Sequence, residues 1–187
     1  MWIVGTVILL VVGYGIIAFN RLVRASNLVN EAWSGIDVQL KRRHDLVPNL
    51  VQTVQEYASH EDKIFEKVAR ARSESMNVYA PRAKGEAENA LSAQIKSLFA
   101  VAEAYPQVKA VTNFLDLQKN LTEIEDQIQY ARRYYNGTVR DYNILRETFP
   151  NSILSRMFGF ERDEFFEIEY ATERTAPDVD FRKKPAQ

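Results

Sequence analysis

The sequence predicts an all-α protein in which an N-terminal transmembrane helix is followed by an antiparallel four-helix bundle with long helices. Residues 2–19 carry no charged side chain, and downstream apolar residues recur at helical spacing as far as Phe149. The 187 residues include only 7 glycines and 6 prolines, which favours a few long helices over many short strands. We therefore expect a transmembrane anchor over residues 1–20, a helical bundle over 21–150, and a short helix with an extended, partly mobile tail over 151–187.

The composition excludes several classes of function. The chain has no cysteine, which excludes disulfides, thiolate zinc sites and a cysteine nucleophile. Its 24 basic and 25 acidic residues balance, so no overall charge attracts nucleic acid. His60-Glu61 does not match a zinc-protease helix, because Ile64 stands where the second histidine would be. We therefore expect no enzymatic activity, no cofactor, no metal and no nucleic-acid partner.

The N-terminal segment has the composition of a membrane span. Residues 2–19 would rise about 27 Å as a helix, close to a hydrocarbon thickness of ~30 Å. One alternative is a buried core helix, and another is a cleaved signal peptide, since Val23-Arg24-Ala25 loosely resembles a cleavage site. A signal peptide carries positive charge before its apolar region, whereas Arg21 and Arg24 follow it here. We predict an uncleaved anchor in contact with membrane lipid.

The position of the basic residues after the span also predicts how the protein is oriented in the membrane. Arg21 and Arg24 follow the span directly, and Lys41, Arg42 and Arg43 come later. By the positive-inside rule, the N-terminus should face outward and the bundle should face the cytoplasm. The alternative orientation places the bundle outside.

Apolar stripes predict where the first two bundle helices lie. One stripe continues the span as far as Leu40, and the next runs from Val47 to Val68. Pro48 removes a helical hydrogen bond from a helix interior but costs nothing in a first turn. We therefore predict a break between Arg43 and Leu46, with Asp45 as the cap of a new helix.

The third and fourth helices are predicted over residues 86–104 and from about Ala110 to Phe149. The fourth follows steps of three and four over about five heptads, or roughly 55 Å. A proline follows Tyr105 and another follows Phe149, and these two prolines mark where the fourth helix should begin and end. The apolar positions of this repeat, with one threonine among them, are Ala110, Phe114, Leu117, Leu121, Ile124, Ile128, Ala131, Tyr135, Thr138, Tyr142, Leu145 and Phe149.

Two stretches near the N-terminus are distinctive. Residues 30–43 read NEAWSGIDVQLKRR and residues 45–51 read DLVPNLV. They resemble the signature of the bacterial LemA family. Further matching positions are Tyr57, His60-Glu61, Tyr105-Pro106, Ala131-Arg132, Tyr135-Asn136, Tyr142-Asn143, Phe149-Pro150 and Phe158-Gly159-Phe160. The resemblance implies a single-pass protein of the bacterial inner membrane with a four-helix bundle and no settled activity.

Two polar groups are candidate sites. If the first group lies at a helix junction, its side chains would hydrogen-bond to one another and to the exposed backbone groups of the two helix ends. Alternatively, the group would contact another subunit or an anionic ligand. The second group runs beside the seam of the last long helix and would form an interhelical or inter-subunit network. The first comprises Asp37, Gln39, Lys41, Arg42, Arg43, Asp45 and Asn49, and the second comprises Glu125, Gln129, Arg132, Asn136 and Asn143.

These features favour a membrane-anchored helical bundle that self-assembles as a scaffold or interaction protein. We expect a homo-oligomer, with a further protein partner of unknown identity. The alternative is a membrane-tethered ligand-binding or regulatory module that uses the polar residues between positions 37 and 49.

Overall fold

The computed structural model describes residues 1–166, and all the regular secondary structure in that range is helical. The prediction of an all-α fold is therefore confirmed. The tail that we expected to be mobile lies outside the described residues from position 167 onward. The helices are α1 (Trp2–Gln55), α2 (Asp62–Met76), α3 (Pro81–Glu103), α4 (Pro106–Lys109), α5 (Thr112–Glu147) and α6 (Asn151–Met157).

Helix α1 is continuous from the apolar N-terminal run into the bundle. Its 54 residues extend about 80 Å at 1.5 Å per residue. The predicted break between Arg43 and Leu46 is wrong, and Asp45 caps no helix, because Pro48 lies inside α1. The proline deprives the carbonyl oxygen of His44 of its helical donor. Arg72 Nε of α2 donates to that oxygen at 2.7 Å, so the helix continues without an unpaired carbonyl.

Helix α1 ends at Gln55 rather than near Arg43, and α3 begins earlier than predicted. The chain leaves the helix over residues 56–61, where His60 is exposed. Helix α3 begins at Pro81 rather than near residue 86, because proline suits the first helical position and Ala80 before it is extended. The short helix predicted after Phe149 is present as α6, and Gly159 ends it with a φ of 72°.

Helices α1 and α5 run antiparallel in a regular register. The rings of Trp33 and Tyr135 lie 5.3 Å apart. Further from the N-terminal run, Arg43 bonds to Glu125 at 2.9 Å, and Asn113 Nδ2 donates to Thr53 Oγ1 at 3.3 Å. Residue numbers on α1 therefore increase along the contact while those of the contacting residues on α5 decrease, as an antiparallel bundle requires.

The interior consists of two apolar cores placed end to end. The distal core, far from the N-terminal run, joins α1, α2, α3 and α5 around Leu50, Val68, Leu98 and Leu117. The proximal core has fewer helices, because α1 and α5 share it with an extended segment over residues 160–166. Its buried members are Val29, Ala32, Ile36, Leu40, Ile124, Ile128, Tyr135, Val139, Tyr142 and Phe166. Between Phe114 and Tyr142 the heptad positions are buried except Ala131, which is half-buried, while Ala110 and Phe149 at the ends of the repeat are exposed.

Most of the N-terminal third of α1 is not covered by the rest of the described chain. Among residues 1–166, α1 is the one helix long and apolar enough to cross a membrane. Only 6% of its most apolar 18-residue stretch is buried within the chain. This exposure argues against the alternative of a buried core helix, because a core helix would be covered by protein.

Candidate functional site

A buried ionic network lies between the two apolar cores. Arg43 of α1 is 2% exposed and forms an ion pair with Glu88 of α3, which is 0% exposed. The Arg43 guanidinium also donates to Glu125 Oε2 of α5 at 2.9 Å and to Ser92 Oγ of α3 at 2.8 Å. Arginine can satisfy several planar acceptors at once, and here one side chain joins three helices.

His44 and Lys84 extend the same network. His44 Nε2 lies 2.9 Å from Glu88 Oε1 and 3.0 Å from Ser75 Oγ of α2. Lys84 Nζ donates to the Ser75 carbonyl oxygen at 2.7 Å and lies 3.8 Å from Glu88 Oε1. Glu88 therefore faces three basic side chains, and the end of α2 is bonded to both α1 and α3.

The carboxylate of Glu88 is held in its charged form by these neighbours. Burial alone would raise its pKa. The hydrogen bond from His44 and the charges of Arg43 and His44 outweigh that effect, so the pKa of Glu88 lies below its ordinary value. The network is thus an ionised, mutually compensated layer at the junction of the two cores.

This geometry supports a structural function for the network. Glu88 is fully enclosed, so a substrate could not reach the carboxylate without the helices separating. Buried ion pairs add little net stability but can fix one alignment of helices. Sequence reasoning missed His44, Ser75, Lys84, Glu88 and Ser92. A signal was present, because Lys84 and Glu88 continue the apolar spacing of Leu91, Ile95 and Leu98 towards the start of α3.

The structure disperses the first predicted polar group around a continuous helix. Arg43 enters the buried network, while Asp37, Lys41 and Asn49 are exposed. Gln39, Arg42 and Asp45 face a surface groove between α1 and α5. Without the predicted break, these side chains do not gather at a pair of helix ends.

The second predicted polar group divides into three separate arrangements. Glu125 joins the ionic network through Arg43. Arg132 donates to Gln129 Oε1 at 3.4 Å, one turn away on α5. Asn136 and Asn143 bind the backbone of the extended segment over residues 160–166. They therefore make contacts within one chain, between α5 and its own C-terminal continuation.

Asn136 and Asn143 form a paired clamp on that segment. Asn143 Nδ2 donates to the Asp163 carbonyl at 2.9 Å, and the Asp163 amide returns a bond of 3.1 Å to Asn143 Oδ1. Asn136 makes the same two bonds with Phe166, at 3.1 and 3.0 Å. Seven residues of helix and three residues of extended chain both span roughly 10 Å. The two spacings match, so both asparagines can bind at once.

Two tyrosines beside the asparagines complete the clamp. Tyr135 and Tyr142 donate their hydroxyl protons to the carbonyl oxygens of Glu164 and Glu161, at 2.9 and 2.8 Å. Burial, together with the nearby charges of Asp163 and Glu164, raises the pKa of Tyr135 to about 12. Burial and the charge of Asp163 also raise the pKa of Tyr142. Both hydroxyls are therefore neutral donors at physiological pH.

The groove between α1 and α5 has a volume of about 690 Å³. It contains charges of both signs, and among residues 1–166 no ion pair involves Arg42, Asp45 or Asp126. The Oε1 atom of Gln39 is buried beside it without a hydrogen-bond donor from the described part of the chain. The residues that line the groove are Gln39, Arg42, Asp45 and Leu46 of α1, with Asn120, Glu123, Ile124, Asp126, Gln127 and Tyr130 of α5.

Neither the ionic network nor the groove contains the ligands of a metal centre. Within residues 1–166, no three side chains of histidine, aspartate or glutamate lie close enough together to hold a metal ion. The arrangement suits packing and recognition, since its charges are either paired in the interior or displayed on the surface.

Comparison with known proteins identifies the family of this chain. The model of the LemA family matches residues 32–181, which include α1 from Ala32 onward and all the later helices. The chain belongs to the LemA family. The expected resemblance to this family is thereby confirmed.

Two kinds of curated relative are similar to this chain. It is 26% identical over 175 residues to magnetosome protein MamQ 2 of Paramagnetospirillum magneticum, covering 80% of this chain and 64% of that protein. It is 27% identical over 138 residues to protein LemA of Metamycoplasma hominis, covering 72% of this chain and 58% of that protein. The chain thus spans less than two thirds of the length of these relatives. Family membership and the apolar run of α1 together indicate a membrane-associated protein.

Proposed function

We propose that this protein is a membrane-anchored scaffold of the bacterial inner membrane that self-associates through the groove between α1 and α5. The observation that carries the proposal is the continuity of α1 from Trp2 to Gln55. An unbroken helix holds the bundle at a fixed distance and angle from the anchor, whereas a flexible linker would not. No catalytic step is part of the proposal.

The arginines after the span support the orientation within the proposal. Arg21 and Arg24 are exposed directly beyond the apolar run. The positive-inside rule then places the bundle in the cytoplasm and the first residues outside.

The charges of the groove support contact with a second copy. In a two-fold symmetric dimer the same surface is used twice, so a basic and an acidic group on one face can form two reciprocal ion pairs. Arg42 and Asp126 stand on opposite walls of the groove, and neither has an ion-pair partner within residues 1–166. Tyr130 is 60% exposed at the same surface and provides apolar area of the kind enriched in interfaces.

Native mass spectrometry of the full chain in detergent tests the proposal. We expect dimers or larger assemblies at micromolar concentration. Arg42→Asp and Asp126→Arg should each shift the distribution towards monomers, because like charges then face each other across the interface. The chain that carries both changes should recover the assemblies, since the ion pairs re-form with exchanged signs.

Lys63→Glu is the matched control, because Lys63 is exposed on α2 away from the groove. It should leave the mass distribution unchanged. A clean monomer for the unaltered chain would contradict self-association. Assemblies that are insensitive to both groove variants would contradict the choice of surface.

A second candidate function is a ligand-binding or regulatory module in the same groove. The unsatisfied Oε1 of Gln39 favours it, since a buried acceptor without a donor is unfavourable and a ligand N–H could supply one. A thermal-shift screen of small polar compounds with amide or ammonium groups tests this function. Stabilisation that disappears in Gln39→Leu supports it, and no stabilisation by any such compound contradicts it.

A further inference from the structure

An exposed apolar surface surrounds α6, at the end of the bundle that lies nearest the apolar run of α1. Phe149 is 76% exposed, Ile153 is 57% exposed and Met157 is 67% exposed. Phe158, directly after the helix, is 54% exposed. Four large apolar side chains left open within ten residues form a patch of the kind that marks an interaction surface.

The position of α6 along α1 shows what lies beside this patch. Phe19, the last apolar residue of the N-terminal run, packs against Phe158 and Phe160, with ring centroids 4.9 and 5.7 Å apart. A groove of about 330 Å³ has Val12 and Ile16 of α1 on one side and Leu154 and Met157 of α6 on the other. Helix α6 therefore stands at the same height as the last turns of the apolar run.

We propose that the segment from Phe149 to Phe158 is a second membrane contact, seated in the headgroup and upper acyl region of the bilayer that α1 crosses. This inference rests on the membrane anchoring of the proposed function. Lipid that surrounds Val12 and Ile16 must also reach the facing side of α6, because the two form one continuous groove. The bilayer is thus the occupant that covers the patch.

The charges around the patch suit an interfacial position. Arg21 and Arg24 of α1 and Arg156 of α6 are all exposed at this end of the molecule. An interfacial segment places its apolar side chains about 5–10 Å into the headgroup and acyl boundary, while basic side chains contact anionic headgroups. The seven residues of α6 bury too little surface to bind a membrane alone, but the adjacent span holds the helix there.

Site-specific fluorophores on the full chain in vesicles test this contact. The absence of native cysteine allows single labels at chosen positions. Labels at Ile153→Cys and Met157→Cys are compared with Leu9→Cys in the apolar run and Tyr79→Cys, which is 82% exposed at the α2–α3 connection. These side chains are exposed, so the labels leave the packing intact. The vesicles contain phosphatidylcholine and phosphatidylglycerol, with either spin-labelled lipid or aqueous iodide as the quencher.

We expect spin-labelled lipid to quench the labels at positions 153, 157 and 9, and iodide to quench the label at position 79 alone. Quenching of the 153 and 157 labels by iodide, with position 9 still quenched by lipid, would overturn this inference and leave the anchor intact. Protection of those two labels from both quenchers would also overturn it, because protein would then cover the patch. If lipid fails to quench position 9, the proposed anchoring fails, and this inference fails with it.

Discussion

The Nε atom of Arg72 on α2 donates a hydrogen bond of 2.7 Å to the carbonyl oxygen of His44 on α1. That oxygen has no donor within its own helix, because Pro48 four residues later has no N–H. A neighbouring helix thus supplies the bond that proline removes. As a result, α1 passes through the position where the sequence alone predicts a break.

The hydrogen bond from Arg72 should stabilise the fold only because Pro48 is present. Arg72→Met should lower the free energy of unfolding by about 1.5–3 kcal/mol, the range for a hydrogen bond to a charged group. In a Pro48→Ala background the same change should cost clearly less, because alanine at position 48 supplies the missing N–H. Urea unfolding of the full chain in detergent, followed by circular dichroism, measures all four proteins. An equal cost in both backgrounds would contradict this coupling.

The buried network should respond more strongly to the loss of one partner than to the loss of two. Glu88→Leu leaves Arg43 buried without its main counter-charge and should cost about 3–5 kcal/mol. Combining it with Arg43→Met should recover part of that loss, which a double-mutant cycle measures. Glu66→Gln is the control, because Glu66 and Arg70 form an exposed pair at 2.6 Å, and it should change stability by less than about 0.5 kcal/mol.

The same network predicts a dependence on acid. The folded pKa of Glu88 lies below its ordinary value of 4.5, so its contribution to stability is complete above about pH 4.5 and is lost as pH falls through the folded pKa. The stability difference between the unaltered protein and Glu88→Gln should therefore shrink in acid. Thermal melting of both proteins across that range measures the difference, and a constant difference would show that the carboxylate is not held in its charged form.

The clamp on residues 160–166 should protect two particular amides from hydrogen exchange. Asn143→Ala should increase exchange at Asp163, and Asn136→Ala should increase it at Phe166, since each amide donates to that asparagine. Loss of a hydrogen bond worth about 1 kcal/mol corresponds to roughly fivefold faster exchange of the amide where exchange proceeds by local opening of the segment. Exchange measured by mass spectrometry, with Tyr134→Phe as an exposed neighbouring control, tests this. Unchanged exchange in both variants would mean that the segment is held by other contacts.

Tyr135, one of the two tyrosines of the clamp, makes the stability of the segment depend on alkaline pH. The folded pKa of Tyr135 is raised from 10.0 to about 12, so its neutral hydroxyl stabilises the segment fully below pH 10. That contribution is lost as pH rises from 10 towards 12. Absorbance of the tyrosinate near alkaline pH, compared between the unaltered protein and Tyr135→Phe, should show one late-titrating group that the variant lacks.

The seam between α1 and α5 should tolerate neither cavities nor charge. Ile128 is 0% exposed, and Ile128→Asp should unfold or dissociate the bundle, because a buried unpaired charge is strongly unfavourable. Trp33→Ala should cost about 3–5 kcal/mol, since the indole packs against Tyr135 and Phe166. His60→Ala should change stability by less than about 0.5 kcal/mol, because His60 is exposed. Circular dichroism and limited proteolysis measure all three, and an unchanged melting temperature in Ile128→Asp would contradict a buried seam.

Apolar spacing predicted the helices well because burial acts along whole stripes. The steps of three and four from Phe114 to Tyr142 are enough to assign that repeat to one buried face. The predicted break before Pro48 was wrong, because the effect of the proline depends on Arg72, which lies on another helix. Local sequence cannot show whether a distant side chain will complete a helix.

The functional residues were harder to predict, because their partners are distant in sequence. Arg43 was expected at a polar helix end, yet it meets Glu88 and Glu125 in the interior. Charged residues at apolar-stripe positions, such as Lys84 and Glu88, were the available signal. The repeated Tyr-Asn pairs at 135–136 and 142–143 matched the family pattern. Nothing local showed that they bind an extended segment.

The distance between spin labels at Ile17→Cys and Gln52→Cys tests the continuity of α1 most directly. Both side chains are exposed, and the pair spans the end of the apolar run, the predicted break and Pro48. Double electron–electron resonance in nanodiscs, with labelled protein diluted in unlabelled protein, reports distances within single chains. We predict one narrow distribution centred at about 53 Å, as an unbroken helix requires. A broad distribution, or one centred well below that distance, would contradict the rigid connection between anchor and bundle.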